Sequence, residues 1–434
     1  LKFARHLIHC FHSLTFMPEL PAKPPAATLD TFSTMSAYGS CGPDREAAVP
    51  SEKAAFLDLD LPEKPISWNG SWATAGQLLN TMIGSGILAF PYVLSKVGLV
   101  YMVCMLSFFC VLVACTGLMM IEAGKVLDAY DYSLVVEKAL GYRWRVANDI
   151  ACVLGMMGAL MSYFNVIGSL GSEFATTIQP NGWQVLNSYA GFMVIAGLLI
   201  PFPLCFMRAY GDLTYISACS VIFIFAAIFY VGIAGTASTG SAHSLVFWPA
   251  SAYACLKYMG TFAYGTANQN AVWEAYLSTA EESKESFSYT VWAAAVGGCV
   301  LLGSMGCAGY IAFGDSVDSD VMLSFADGIL QAVGCAMVVT HIIFYIPNDF
   351  IQMRFYAFRC LQINILQVTT FWYLLITVVL FAIPLTVMAC VPEDAVSGTF
   401  SLVLDLSGDL PYGFSCFFVP GAVFLKTIDS DERP

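Results

Sequence analysis

Between residues 72 and 426 the chain is a succession of apolar runs, each about twenty residues long, separated by short polar stretches. A helix rising about 1.5 Å per residue needs that length to cross roughly 30 Å of hydrocarbon, and lipid offers the backbone no partners, so such runs must be helical. Candidate spans lie near 73–95, 99–122, 147–175, 187–206, 212–235, 253–275, 289–312, 325–347, 368–390 and 399–425, about ten in all. Asp405 and Asp409 make the last one the most interrupted. A water-soluble fold is excluded on the same ground, because 58% hydrophobic residues against 11% charged leave too little polar surface to cover a globule. The sequence predicts an all-α polytopic membrane protein, with the lipid bilayer as its surroundings.

A net charge of −13 provides no basic stripe for phosphates, so nucleic acid is not a partner. The 15 cysteines are scattered singly, with no CxxC pair and no zinc spacing, and no cofactor is expected. Residues 1–70 mix Pro, Ala, Ser and charges and read as a disordered cytosolic tail, ahead of a transmembrane domain over 71–426 and a short tail over 427–434. The chain opens on Leu1, with Met17 and Met35 as candidate starts. With the amino terminus in the cytosol, the inner segments collect Lys125, Lys138, Arg143, Arg145, Arg208, Lys284, Arg354, Arg359, Lys426 and Arg433, and the outer ones only Lys96 and Lys257. That asymmetry, ten against two, follows the positive-inside rule and supports ten spans, since one missed span would scramble it.

Two spans carry chemistry. The first contains Asn80-Thr81-Met82-Ile83-Gly84-Ser85-Gly86-Ile87-Leu88, in which two glycines flank a serine at mid-membrane and loosen the helix. Unwinding there exposes the N–H groups of the following half-helix, which with its positive dipole end can hold a carboxylate without any arginine. Small residues also let two helices pack closely, so this segment alone leaves both readings open. The sixth span holds Phe262-Ala263-Tyr264-Gly265-Thr266-Ala267-Asn268-Gln269-Asn270, followed by Trp273 and Glu274, and three consecutive amides at that depth must face a cavity or a partner helix. The first and sixth spans are matching members of two five-span halves, the pattern of a transport site. Gly84-x-Gly86-x-x-Ala89 satisfies a loose dinucleotide fingerprint, but a membrane span provides no preceding strand.

Asn80 to Leu88, Phe262-x-Tyr264-Gly265, Glu274 and Pro420-Gly421-Ala422 together resemble the amino acid/auxin permease family, above all its branch of sodium-coupled neutral amino acid transporters. The resemblance covers most of the hydrophobic core and not the amino-terminal tail. It implies a fold similar to the bacterial leucine transporter, two inverted repeats of five helices around a site where the first and sixth helices break. It further implies that backbone amides of Gly84, Ser85 and Gly86 receive the carboxylate of an amino-acid substrate, and that carbonyls near Phe262, Tyr264 and Gly265, with Asn268 beside them, face its ammonium. Asn80 and Thr340, seven residues before Pro347, match the family's sodium-site positions. Where many relatives have a His and often a Pro in the sixth helix, this chain has Thr266 and Ala267, so side-chain selectivity does not carry over. Relatives usually have an eleventh helix, which these ten spans lack.

The expected function is secondary active transport of amino acids, small neutral ones because no arginine or lysine lies in the presumed site, coupled to sodium or protons by alternating access. A sensor on the same fold that binds without transporting is the alternative. The spans show no ring of charges for a channel and no nucleophile–base pair for an enzyme. A plasma membrane and a lysosome- or vacuole-like membrane fit equally, and the sequence does not set the oligomeric state. Glu122, Glu173 and Asp349 fall near expected span ends, where a carboxylate reaches interfacial water, so a structural role is weighed ahead of a proton relay. His341 points away from Thr340 and is the histidine placed to sense pH in the core.

Overall fold

The computed structural model describes residues 70–129, 131–207, 214–240, 242–249, 251–363 and 368–431. The expected tail over 1–70 lies, but for Gly70, outside the described residues, as do Arg208 and Arg433. Every regular element among the described residues is helical. The first span is α1 (Ser71–Met82), a 3-10 turn (Ser85–Ala89) and the start of α2 (Phe90–Val126). Gly98 interrupts α2 at φ 73°, ψ 161°, a region essentially reserved for glycine, and so separates the first span from the second. Beyond it, Leu99 N–H and Val100 N–H bond to the carbonyls of Val246 and Phe247 at 2.8 and 3.1 Å, which satisfies amides a new helix leaves open.

The chain continues through α3 (Tyr132–Leu140), α4 (Tyr142–Ile178), α5 (Tyr189–Leu199), α6 (Pro201–Leu204) and α7 (Thr214–Thr239). The sixth span is broken into α8 (Ala252–Lys257), α9 (Met259–Thr266) and α10 (Gln269–Ser278). After the short α11 (Glu281–Lys284) come α12 (Phe287–Phe313), α13 (Ile329–Cys360) and α14 (Thr370–Ala389). The last span joins α15 (Val396–Ser407), a π-helix (Gly408–Phe418) and α16 (Val419–Asp431), so helix continues past 426 into the expected tail. Among the described residues, seven helices are long and apolar enough to cross a membrane unaided. The split at Gly98, the α5–α6 hairpin arm and the broken sixth span bring the total there to ten segments in two sets of five, each set led by a broken helix.

Burial ranks the spans. The most apolar stretch of α4 is 72% buried and that of α13 61%, against 39% in α7, α14 and the last span. The third and eighth spans are therefore at the centre of the bundle, packed most extensively on each other.

The largest departure from the sequence expectation is in α13. The apolar run predicts an end at Pro347, yet the helix runs thirteen residues further, to Cys360. Proline costs one backbone bond inside a helix, and packed neighbours inside a membrane bundle replace it. Asp349 and Arg354 consequently lie within the helix rather than in an inner loop, 6% and 1% exposed. Arg354 donates to the carbonyls of Cys205 (2.5 Å) and Met207 (2.6 Å) and to Thr377 Oγ1 (3.3 Å), with its guanidinium 4.6 Å from the Tyr373 ring. It pins the end of the fourth span and α14 to α13. Arg354→Ala strands two buried carbonyls and should cost about 2–5 kcal/mol. Arg354→Lys keeps the charge without the fork and should recover only part of the loss. Melting of the purified variants checks both, and equal melting of Arg354→Ala and the parent chain would refute the pinning role.

Candidate functional site

The α1 helix stops at Met82, and Ile83 (φ −99°, ψ 69°) and Gly84 (φ −86°, ψ −155°) carry the chain across an extended gap to the 3-10 turn. Helix ends leave carbonyls unsatisfied, and here α13 supplies the donors. Tyr345 O–H bonds to the Thr81 carbonyl at 2.6 Å, and His341 Nε2 lies 3.1 Å from the Ile83 carbonyl. The other ring nitrogen, Nδ1, sits 2.7 Å from Ser220 Oγ. Nδ1 also lies 3.0 Å from the Ser220 carbonyl, so His341 caps the broken helix and ties it to α7 with both ring nitrogens engaged. On the far side of the gap the N–H groups of Gly84, Ser85 and Gly86 meet no backbone carbonyl among the described residues, and they form the positive end of the half-helix that follows.

The sixth span breaks opposite. After Thr266 the chain passes through Ala267 (φ −65°, ψ 121°) and Asn268 (φ −147°, ψ 2°) before α10 begins. The three consecutive amides divide the work. Gln269 is structural, accepting from Asn268 N–H at 3.0 Å and donating to Thr116 Oγ1 at 3.0 Å. Asn270 Oδ1 takes only long bonds from the thiols of Cys152 (3.6 Å) and Cys416 (3.9 Å). Asn268 is 3% exposed, and its side-chain oxygen and nitrogen both lack a partner among the described residues.

Between the two breaks lies a cavity lined by Gly84, Tyr163, Tyr264, Asn268, Asp349 and Tyr412, among others. Its volume is about 30 Å³, room for about two waters, so a larger solute enters only if the lining helices part. A triangle of hydroxyls closes one side: Ser85 Oγ to Ser162 Oγ at 2.6 Å, Ser162 Oγ to Tyr264 Oη at 2.9 Å and Ser85 Oγ to Tyr264 Oη at 3.4 Å. It ties the first and sixth breaks to α4. On the other side Tyr163 O–H donates to Asp349 Oδ2 at 2.6 Å, and Asn348 Nδ2 lies 3.4 Å from Oδ1.

Of the residues singled out by sequence, Gly84, Tyr264 and Asn268 line the cavity, and Ser85 and Gly86 border it through Ser162 and the Tyr264 ring. Gly265 packs on the Phe90 ring instead. The Phe262 ring joins an aromatic cluster with Phe90 (5.6 Å) and Phe109 (6.4 Å), and its carbonyl accepts from Thr266 Oγ1 at 2.8 Å, so neither faces the cavity. Asn80, 1% exposed, lies just before the break, and both its side-chain polar atoms are unpartnered among the described residues. Thr340 is half-buried and donates its hydroxyl hydrogen to the Ala336 carbonyl of its own helix at 2.7 Å, which leaves its oxygen lone pairs unspent. Sequence reasoning missed Ser162 and Tyr163, which carry no motif, and set Asp349 at the interface when it lies in the cavity wall.

Known proteins agree with this arrangement. The family described as "Transmembrane amino acid transporter protein" matches residues 66–432. Vacuolar amino acid transporter 5 of Schizosaccharomyces pombe is 21% identical over 286 residues, 64% of this chain and 66% of that protein. Sodium-coupled neutral amino acid transporter 7 of Xenopus laevis is 24% identical over 275 residues, 60% of each chain. The chain thus spans a little under two thirds of the length of these relatives. The crystal structure of a manganese transporter from Eremococcus coleocola superposes with a TM-score of 0.51 at 10% identity, covering 83% of this chain and 85% of that one, a likeness of fold alone. With two broken spans around one cavity and a family match running from the start of the first helix to the end of the last, this chain belongs to the transmembrane amino acid transporter family.

Proposed function

We propose that the chain is a secondary active transporter of small neutral amino acids, coupled to sodium or protons, that works by alternating access with its amino terminus in the cytosol. The observation that carries this reading is the pairing of two helix breaks across one small cavity. Open amides of Gly84, Ser85 and Gly86 on one side suit a carboxylate, and the α9 end with the unpartnered Asn268 on the other suits an ammonium. Among the described residues no basic side chain lines the cavity, which favours neutral substrates. A plasma membrane and a vacuole- or lysosome-like membrane both suit such a carrier.

Asn80 remains the proposed sodium ligand on α1, since its oxygen is buried and unpartnered among the described residues. The test is uptake of a labelled neutral amino-acid mixture into proteoliposomes, with sodium and proton gradients imposed separately. Concentrative uptake is expected, and Asn268→Ala should reduce it about tenfold, the loss of roughly one hydrogen bond to a charged group. Asn80→Ala should remove whatever part of uptake a sodium gradient drives. Absence of uptake under either gradient, alongside amino-acid-dependent thermal stabilisation, would overturn transport in favour of a sensor.

A further inference from the structure

The buried carboxylate of Asp349 has no use in the scheme above, yet it occupies the wall of the same cavity. An ionised carboxylate at membrane depth is expensive and is retained where it meets a cation or a proton. The groups around it are neutral. Tyr163 reaches it from α4, Tyr264 stands across the cavity on α9, and Tyr412 and Cys416 come from the π-helix. From α1 comes Thr81, and from the α10 side Asn268 and Asn270. Among the described residues, neither α7 nor α14 contributes a charged side chain to the cavity wall. Along α13, Tyr345 caps the end of α1 and also faces Asp349 across the cavity wall, His341 is bound to the end of α1, Arg354 reaches the Cys205 and Met207 carbonyls, and Arg359 pairs with Asp131.

The partners of Asp349 favour a proton over sodium as the ion it carries. A sodium ion needs a shell of oxygens offering lone pairs, whereas Tyr163 and Asn348 both present hydrogens to the carboxylate. The Asn348 contact is long, 3.4 Å, so Oδ1 is held less firmly by Asn348 than Oδ2 is by Tyr163. Tyr163 is also the residue beside the first break, since a Cβ built on Gly84 would lie 2.9 Å from its hydroxyl. One side chain thus touches both the carboxylate and the segment whose amides suit the substrate.

We infer that Asp349 is the proton carrier of this transporter, taking up a proton on Oδ1 from one side with the substrate and releasing it on the other, with Tyr163 relaying its charge state to Gly84. The inference rests on the transport reading above. Protonation forms one O–H bond on the carboxylate, and the same bond breaks on release, so nothing else is consumed. A neutral acid accepts the Tyr163 bond more weakly than a carboxylate, which lets the ring move off the first break when the proton is bound.

The test uses full-length protein in proteoliposomes with the potential clamped at zero and no sodium. The parent chain should accumulate labelled amino acid about tenfold for a gradient of about one pH unit, acid on the uptake side, if one proton accompanies each substrate. Asp349→Asn keeps the shape and loses the proton. It should lose all pH-driven accumulation, and the exchange of substrate that remains should no longer vary with pH. Accumulation that persists in Asp349→Asn would overturn the proposal, and so would a parent chain that ignores the pH gradient and accumulates substrate only once a sodium gradient is added. Loss of exchange in a variant that melts like the parent would also overturn it, by making Asp349 a ligand of the substrate ammonium. If Asp349→Asn does not fold, Asp349→Ser is read the same way. A parent chain with neither accumulation nor exchange under any gradient would instead sink the transport reading itself.

Discussion

Alanine at Gly408 should leave little or no folded protein. Gly408 opens the π-helix where the last span crosses α9, and a Cβ there would lie 1.8 Å from the carbonyl oxygen of Gly260 and 2.6 Å from its carbon. The contact is reciprocal, since a Cβ on Gly260 would lie 2.3 Å from the Asp405 oxygen. Both obstacles are backbone, so no change of rotamer relieves them and the two helices must separate. Separation would also pull Thr261 Oγ1 off Asp405 Oδ1, a 2.5 Å bond, and part the Tyr264 and Tyr412 rings, now 5.8 Å apart in the cavity wall. Overpacking usually costs about 1–3 kcal/mol, and with backbone on both sides we expect about 4 kcal/mol or more. A methyl added at Gly398 or Gly421 would have nothing within 4 Å, so alanine there is the control and should leave melting unchanged or slightly raised. Gly408→Ala protein that elutes as one species and melts with the parent would refute the close crossing.

How far such contacts can be read from sequence depends on their range. The ten spans and both breaks are legible because they rest on local facts: the length of an apolar run, glycines beside a serine, three amides in a row. The end of the eighth span is misplaced at Pro347, because the sequence shows the missing N–H and not the neighbours that make the loss tolerable. That one error moves Asp349 from the cavity to the interface and counts Arg354 as a loop cation. The wall that α4 contributes is hidden for another reason. Ser162 and Tyr163 lie in a 37-residue helix with no distinguishing pattern, and only the packing of α4 against both breaks gives them a role. Phe262 and Tyr264 are two residues apart in one motif, and the helical turn between them sends one ring to an aromatic cluster and the other to the cavity.

Gly84→Ala should reduce uptake about a hundredfold while leaving the protein folded, because the collision it creates is with one side chain at the site. The backbone of Gly84, at φ −86° and ψ −155°, is open to any residue, so conformational strain is not the cause. The added methyl would meet Tyr163 at Oη (2.9 Å), Cε1 (3.3 Å) and Cζ (3.5 Å). Either the ring swings away and gives up its 2.6 Å bond to Asp349, or the break shifts and carries the amides of Ser85 and Gly86 with it. Each hydrogen bond to a charged group is worth about 1.5–3 kcal/mol, and losing one or two gives the expected factor. Stability should fall by no more than about 1.5–3 kcal/mol, the worth of the one bond given up, which leaves the protein folded. Tyr163→Phe separates this account from a general disturbance. It removes the nearest obstacle and leaves contacts of 3.3 and 3.5 Å, which small shifts can absorb. Uptake by the Gly84→Ala/Tyr163→Phe double variant should then be no lower than by Gly84→Ala alone, although Tyr163→Phe by itself is harmful. Two losses that simply multiply would show that the residues act independently, and would break the proposed link between Asp349 and the first helix.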